Sequence, residues 1–141
     1  MKRPISTFIS LFTLIVLAVQ LCIPASAITL TPQASDYIAQ YNGNIVSIGN
    51  GTIKVSFTVQ GTGTLEEIGA SKITIEKKVG KTWSPVKTFD KTDYPELATT
   101  NSWSHAASIQ YPGEPGAYYR AEIIVFGGPD SRTFTTNSQR A

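Results

Sequence analysis

Gly51-Thr52-Ile53-Lys54-Val55-Ser56-Phe57-Thr58-Val59-Gln60 alternates apolar and polar residues without a break from Ile53 to Gln60. Successive side chains of a strand point to opposite faces, so Ile53, Val55, Phe57 and Val59 share one face. Lys54, Ser56, Thr58 and Gln60 share the other. The four apolar residues are all β-branched or aromatic, the types that suit a pleated, half-buried surface. Asn50-Gly51 before the run and Gly61-Thr62-Gly63 after it are turn chemistry. This is a strand with one wet face, and it sets the fold class.

The same period continues outward. Residues 72–79 alternate with Ile73 and Ile75 inward, and Gly80 lets the chain reverse into residues 82–89. Pro85 cannot donate to a ladder, which predicts an edge strand or a bulge. Residues 102–111 put Trp103, Ala107, Ile109 and Tyr111 in one phase, predicted to be core. Pro112-Gly113-Glu114-Pro115-Gly116 compels a turn. Residues 118–126 follow, with Tyr119, Ala121, Ile123 and Val125 on one face and Tyr118, Arg120, Glu122 and Ile124 on the other. Ile124 and Phe126 leave that second face apolar, to be covered by the first strand or by a partner. Residues 131–135 make a last strand, and residues 36–48 a first one interrupted at Asn42-Gly43-Asn44. Leu65-Glu66-Glu67-Ile68 is the one segment suited to a helical turn, and the polar tail is expected to fray. About seven short strands at this spacing predict an all-β fold, an immunoglobulin or fibronectin III-like β-sandwich.

The N-terminus has another character. Met1-Lys2-Arg3-Pro4 is basic, the chain is then apolar to Ile23, and Pro24-Ala25-Ser26-Ala27 supplies a small-x-small exit. That order predicts a secretory signal peptide over 1–27 and a single mature domain over 28–141. Cys22 is preceded by Gln20 and Leu21 rather than small residues, so no lipid attachment is expected. Removing 27 of 141 residues leaves 114, without cysteine, in which ten Lys and Arg balance ten Asp and Glu. A neutral chain gives no electrostatic reason to expect nucleic acid or membrane as a partner after cleavage. The absence of cysteine removes disulfides and thiolate metal sites.

Pro115-Gly116-Ala117-Tyr118-Tyr119-Arg120-Ala121-Glu122-Ile123 resembles the start of the sixth strand of fibronectin type III domains. The resemblance implies that Tyr119 is a tyrosine corner, its hydroxyl bonded to a backbone carbonyl in the turn upstream. Ala121 is smaller than that motif's usual residue. More broadly, the stretch from Gly51 to Ile73, with Tyr118-Tyr119-Arg120-Ala121 and residues 130–136, looks like a family of small secreted proteins of Gram-positive bacteria whose function is unknown. It implies export and a small β-domain, and it supplies no activity.

Chemical motifs are sparse. His105 is the single histidine, and the adjacent Ser104 points to the opposite face, so a hydrolase built on His105 is a remote alternative. Gly80-Lys81-Thr82 lacks the upstream glycine of a phosphate loop, and Ser84-Pro85-Val86-Lys87 lacks its companion motifs. Asp90, Asp93 and Glu96 form an acidic loop that raises calcium binding as a question, but Lys91 stands among them. No catalytic, cofactor-binding or metal-ligating residue is assigned, and no cofactor is expected. Trp83, Tyr94 and Tyr118 are the candidate ligand-contact aromatics. The expected function is that of a secreted, non-enzymatic extracellular binding or interaction module whose partner is an unidentified extracellular protein or glycan. A carbohydrate-binding module of the bacterial surface is the alternative, favoured if those aromatics form one exposed platform.

Overall fold

The computed structural model describes residues 35–141; the expected signal peptide lies outside the described residues. The elements in chain order are β1 (Ile38–Gly49), β2 (Thr52–Val79), β3 (Thr82–Asp90), a 3-10 turn (Pro95–Leu97), β4 (Ala98–Pro112), β5 (Tyr118–Gly127), β6 (Asp130–Thr135) and β7 (Gln139–Arg140). All pairings are antiparallel. No helix among the described residues is long and apolar enough to cross a membrane.

The architecture turns on β2, which runs for 28 residues where the sequence pattern suggested two separate strands. Its first leg pairs with β1 on one side and β4 on the other, register Ile45↔Val55↔Ile109. Its second leg pairs with β3 and β5, register Phe89↔Ile73↔Ile123. Between the legs the β2–β4 ladder skips from Gln60↔Ser104 to Leu65↔Ser102, so residues 61–64 bulge out and bend β2 from one layer of the seven-stranded sheet towards the other. The turn residues Gly61 and Gly63 therefore make a corner without ending the strand. Leu65-Glu66-Glu67-Ile68 is strand, not helical turn, because it pairs with Ser102, Thr100 and Thr99 of β4.

The sandwich core lies between the legs. Ile53, Val55, Phe57 and Val59 from the first leg meet Ile73 and Ile75 from the second, with Tyr119, Ala121, Ile123 and Val125 of β5, all buried. Each fully buried aliphatic side chain is worth about 1.5–3 kcal/mol. Gly43 does not interrupt β1: Asn42, Gly43 and Asn44 stay in register with Thr58, Phe57 and Ser56. A Cβ on Gly43 would stand 2.6 Å from the ring of Phe134, so the glycine admits an aromatic against the backbone. The tail is likewise ordered. Thr136 is buried, its hydroxyl accepts the Ala121 N–H at 3.0 Å, and Gln139–Arg140 pairs with Tyr119 and Tyr118.

Trp103 departs from its predicted place in the core. It is 57% exposed, because it sits where β4 faces the bulge, beside Asn101 at φ 49°. Ile109 keeps the inward position, and Phe126 is buried beneath Lys91, whose ammonium lies 4.5 Å from its ring centroid. Lys91 thus covers Phe126, one of the two apolar residues of the outer face, where the first strand or a partner was expected.

Candidate functional site

Gly80, at φ 62°, makes the tight β2–β3 reversal and sets Lys78 opposite Trp83. On the other side of β2, Glu76 lies opposite Arg120 and Lys77 opposite Tyr119, so the next step places Lys78 beside Tyr118. Tyr118 in turn pairs with Arg140 of β7. One outer sheet face therefore carries a row of Trp83, Lys78, Tyr118 and Arg140, with Pro85, Glu76 and Arg120 in the next row.

Within it, Arg120 Nε donates to Glu76 Oε2 at 2.5 Å, and the guanidinium carbon lies 4.7 Å from the Trp83 ring centroid. Lys78 approaches the same ring at 6.0 Å. The guanidinium is thus fixed by an acid and by an indole face, a cation–π arrangement. Tyr118 is 47% exposed while Trp83 is partly buried by its cationic neighbours. Tyr94 is elsewhere. It packs edge-on to Phe89 at 4.9 Å in the loop after β3, at the other end of the domain. The structure brings together Trp83 and Tyr118 but not Tyr94.

Next to this face, Tyr119 is buried and its hydroxyl accepts the Glu114 N–H at 2.8 Å. The hydroxyl closes the β4–β5 turn through an N–H, where a carbonyl was expected. Gly113 packs on the Tyr119 ring, and the Tyr111 ring meets it edge-on at 5.8 Å. Lys77 reaches Glu114 at 2.6 Å, and this bond raises the lysine above its ordinary pKa.

The neutral composition conceals a polar distribution. The half of the domain holding the β1–β2, β2–β3 and β4–β5 turns carries Lys54, Lys77, Lys78, Lys81, Lys87, Arg120 and Arg140 against Glu76, Glu114 and Glu122. The opposite half carries Asp36, Glu66, Glu67, Asp90, Asp93, Glu96 and Asp130 against Lys72, Lys91 and Arg132. Seven cations face three anions at one end, and the ratio reverses at the other.

The remaining candidates have structural partners. His105 Nε2 must carry the proton, since it bonds the Glu96 carbonyl at 2.9 Å, and its ring lies 5.9 Å from Phe57. It ties the 3-10 turn to β4. Ser104 faces away from it, opposite Gln60. Asp90 accepts from Thr92 through both N–H, at 3.0 Å, and Oγ1, at 2.8 Å, and these bonds hold its carboxyl below the usual range. Lys91 leaves that loop to bind both Glu67 oxygens at 2.9 Å, beside a shallow cleft of about 230 Å³. Among the described residues no group of three or more His, Cys, Asp or Glu side chains is placed to hold a metal ion.

Arg120, Glu76 and Lys78 were absent from the sequence-derived candidates. The hairpin around Gly80 could have given Lys78 beside Trp83, because a two-residue turn fixes the register. Arg120 beside Glu76 needs a pairing between residues far apart in the chain.

No family model matches the chain, and no curated protein matches it. Solved structures similar to it include the sulfur carrier protein SoxY from Chlorobium limicola f thiosulfatophilum, 15% identical, covering 76% of each chain at a TM-score of 0.30. Another is a family 76 glycoside hydrolase from a bovine Bacteroides thetaiotaomicron strain, 13% identical over 72% of this chain at a TM-score of 0.33. The match spans 20% of the hydrolase's length. Likenesses at this level carry no functional argument.

Proposed function

We propose that this is a secreted, non-catalytic binding module that takes its ligand on the outer face of β3, β2 and β5. The observation that carries the reading is the Trp83–Arg120–Glu76 assembly beside exposed Tyr118, set in the cation-rich half of the domain. Rigid aromatics give contact area at little entropic cost, and a guanidinium already held in place presents its remaining N–H donors without further ordering. The ligand favoured is an extracellular one bearing negative charge, because Lys78 and Lys81 add positive potential next to the aromatics.

A bacterial-surface glycan is the second reading, supported by Trp83 and Tyr118 lying on one face. Two rings on strands separated by one intervening strand are roughly 10 Å apart, a spacing suited to successive sugar units. The test is binding of the purified domain to arrays of charged and neutral surface glycans and to anionic cell-wall polymers. Trp83→Ala and Tyr118→Ala are each expected to weaken binding about tenfold or more, as for interface anchors. Binding that survives both substitutions would sink this face as the site. Retention of neutral glycans undiminished in high salt would favour the second reading over an anionic ligand.

A further inference from the structure

Among the described residues β4 has a partner on one side only. Its regular stretch, from Ser102 to Pro112 beyond the positive φ of Asn101, contains no acid, lysine or arginine and no proline before its last residue. Edge strands are normally blunted by such residues or by bulges. β3, an edge in the other layer of the sheet, shows the usual defences: Pro85, a register shift at residues 85–87, and Lys87. β1 is also uncharged, but register shifts break it at both ends. The β2–β4 irregularity belongs to the β2 side, where the extra residues lie, so the β4 edge stays straight between Ser104 and Pro112.

We propose that two copies of this chain pair along their β4 edges, antiparallel, about a two-fold axis through Ala107. Residue 107 is the midpoint of the regular stretch. Pairing centred there sets Ala107 against its own copy and the exposed Ala106 against the exposed Ser108, the small side chains a close axis requires. It also sets Trp103 opposite Tyr111, giving the most exposed aromatic among the described residues an aromatic cross-strand neighbour. The charge distribution independently selects the same arrangement. β4 runs from the acidic half, where Ala98 pairs with Gly69, to the basic half, where Pro112 pairs with Thr52. Antiparallel pairing therefore lays each acidic end beside the other copy's basic end, whereas parallel pairing would bring like ends together. The layer extended in this way is the one that lacks the Trp83–Tyr118 face, so a dimer would present two ligand faces and gain avidity on a repeating surface.

Sedimentation equilibrium of the chain over residues 28–141 tests this directly, and the expected mass rises from one chain to two with concentration. Ala106→Lys with Ser108→Lys puts cations on both sides of the axis and is expected to weaken dimerisation at least about tenfold, with the β-sheet circular dichroism unchanged. That stretch has no cysteine of its own, so Ala107→Cys supplies one thiol per chain. Opposed residues in an antiparallel pair stand about 4.5–5.5 Å apart at Cα, within disulfide reach. Mild oxidation is expected to cross-link the Ala107→Cys protein far faster than a Thr58→Cys control, whose thiol lies on the middle strand. A single-chain mass at every concentration, a dimer indifferent to the lysines, or cross-linking no faster than the control would each overturn the proposal.

Discussion

At the scale of single residues, two close approaches and one hydroxyl organise the domain. Tyr119→Phe keeps the buried ring but removes the acceptor of the Glu114 N–H, and should cost about 1 kcal/mol. Urea denaturation would read this as a lower midpoint at unchanged slope; an unchanged midpoint would remove the hydroxyl from the account. Gly43→Ala and Gly69→Ala differ in what the new methyl meets. At Gly43 it meets only the ends of side chains, the tip of the Phe134 ring and Ile123 Cδ1. At Gly69 it meets backbone, the Leu97 carbonyl and Ala98 Cα, which cannot move without breaking the Gly69↔Ala98 pair. Both are overpacking changes of roughly 1–3 kcal/mol, and Gly69→Ala should be the worse of the two in the same denaturation assay.

At the scale of elements, the loop between β3 and β4 is held by three different bonds. Asp90 folds its own loop through Thr92, His105 grips the Glu96 carbonyl, and Lys91 clamps Glu67 while covering Phe126. The lysine's stem and its charge contribute separately. Lys91→Ala should destabilise by about 1 kcal/mol, and Lys91→Met should recover most of that loss, because an exposed ion pair alone is worth little. If Met behaves like Ala, the charge rather than the stem holds the cover in place. The Asp90 carboxyl is held below its usual range, so its contribution is present above the unfolded-state pKa and is lost as pH falls through the depressed folded value. Asp90→Asn should therefore lower stability at neutral pH and flatten the acid limb of the curve, leaving strongly acid pH little changed. Thermal melts from neutral to strongly acid pH would show it.

At the scale of the whole molecule, the charge of the described residues is neutral in sum and polar in space. Lys77 is raised by Glu114, so its contribution is complete below the unfolded-state lysine pKa and fades as pH rises through the elevated folded value. Together with Asp90 this predicts a melting temperature flat across roughly pH 5 to 9 and falling beyond both limits. A melting temperature that moved within that window would point to groups other than these two. The same polarity bears on association: added salt should weaken both the proposed ligand binding and the proposed antiparallel pairing, since each joins opposite charges.

What could be read before folding was whatever depends on local period. Alternation at 53–59, 73–75 and 119–125 gave the strands and their core faces, because side-chain direction follows from backbone geometry alone. Pro85 named its own edge, and Gly80 its own hairpin. What needed the tertiary structure was everything set by pairing between distant segments. Residues 61–64 read as a turn in isolation, yet β4 lies alongside and makes them the corner of one long strand. Trp103 keeps the phase of Ile109 in sequence and is exposed in space, because the strand opposite has bulged away from it. The Trp83–Arg120–Glu76 assembly draws on three strands, and no window of sequence contains it. Charge balance is a sum and could be counted from composition. Its separation into two halves is a matter of position, and only the fold assigns positions.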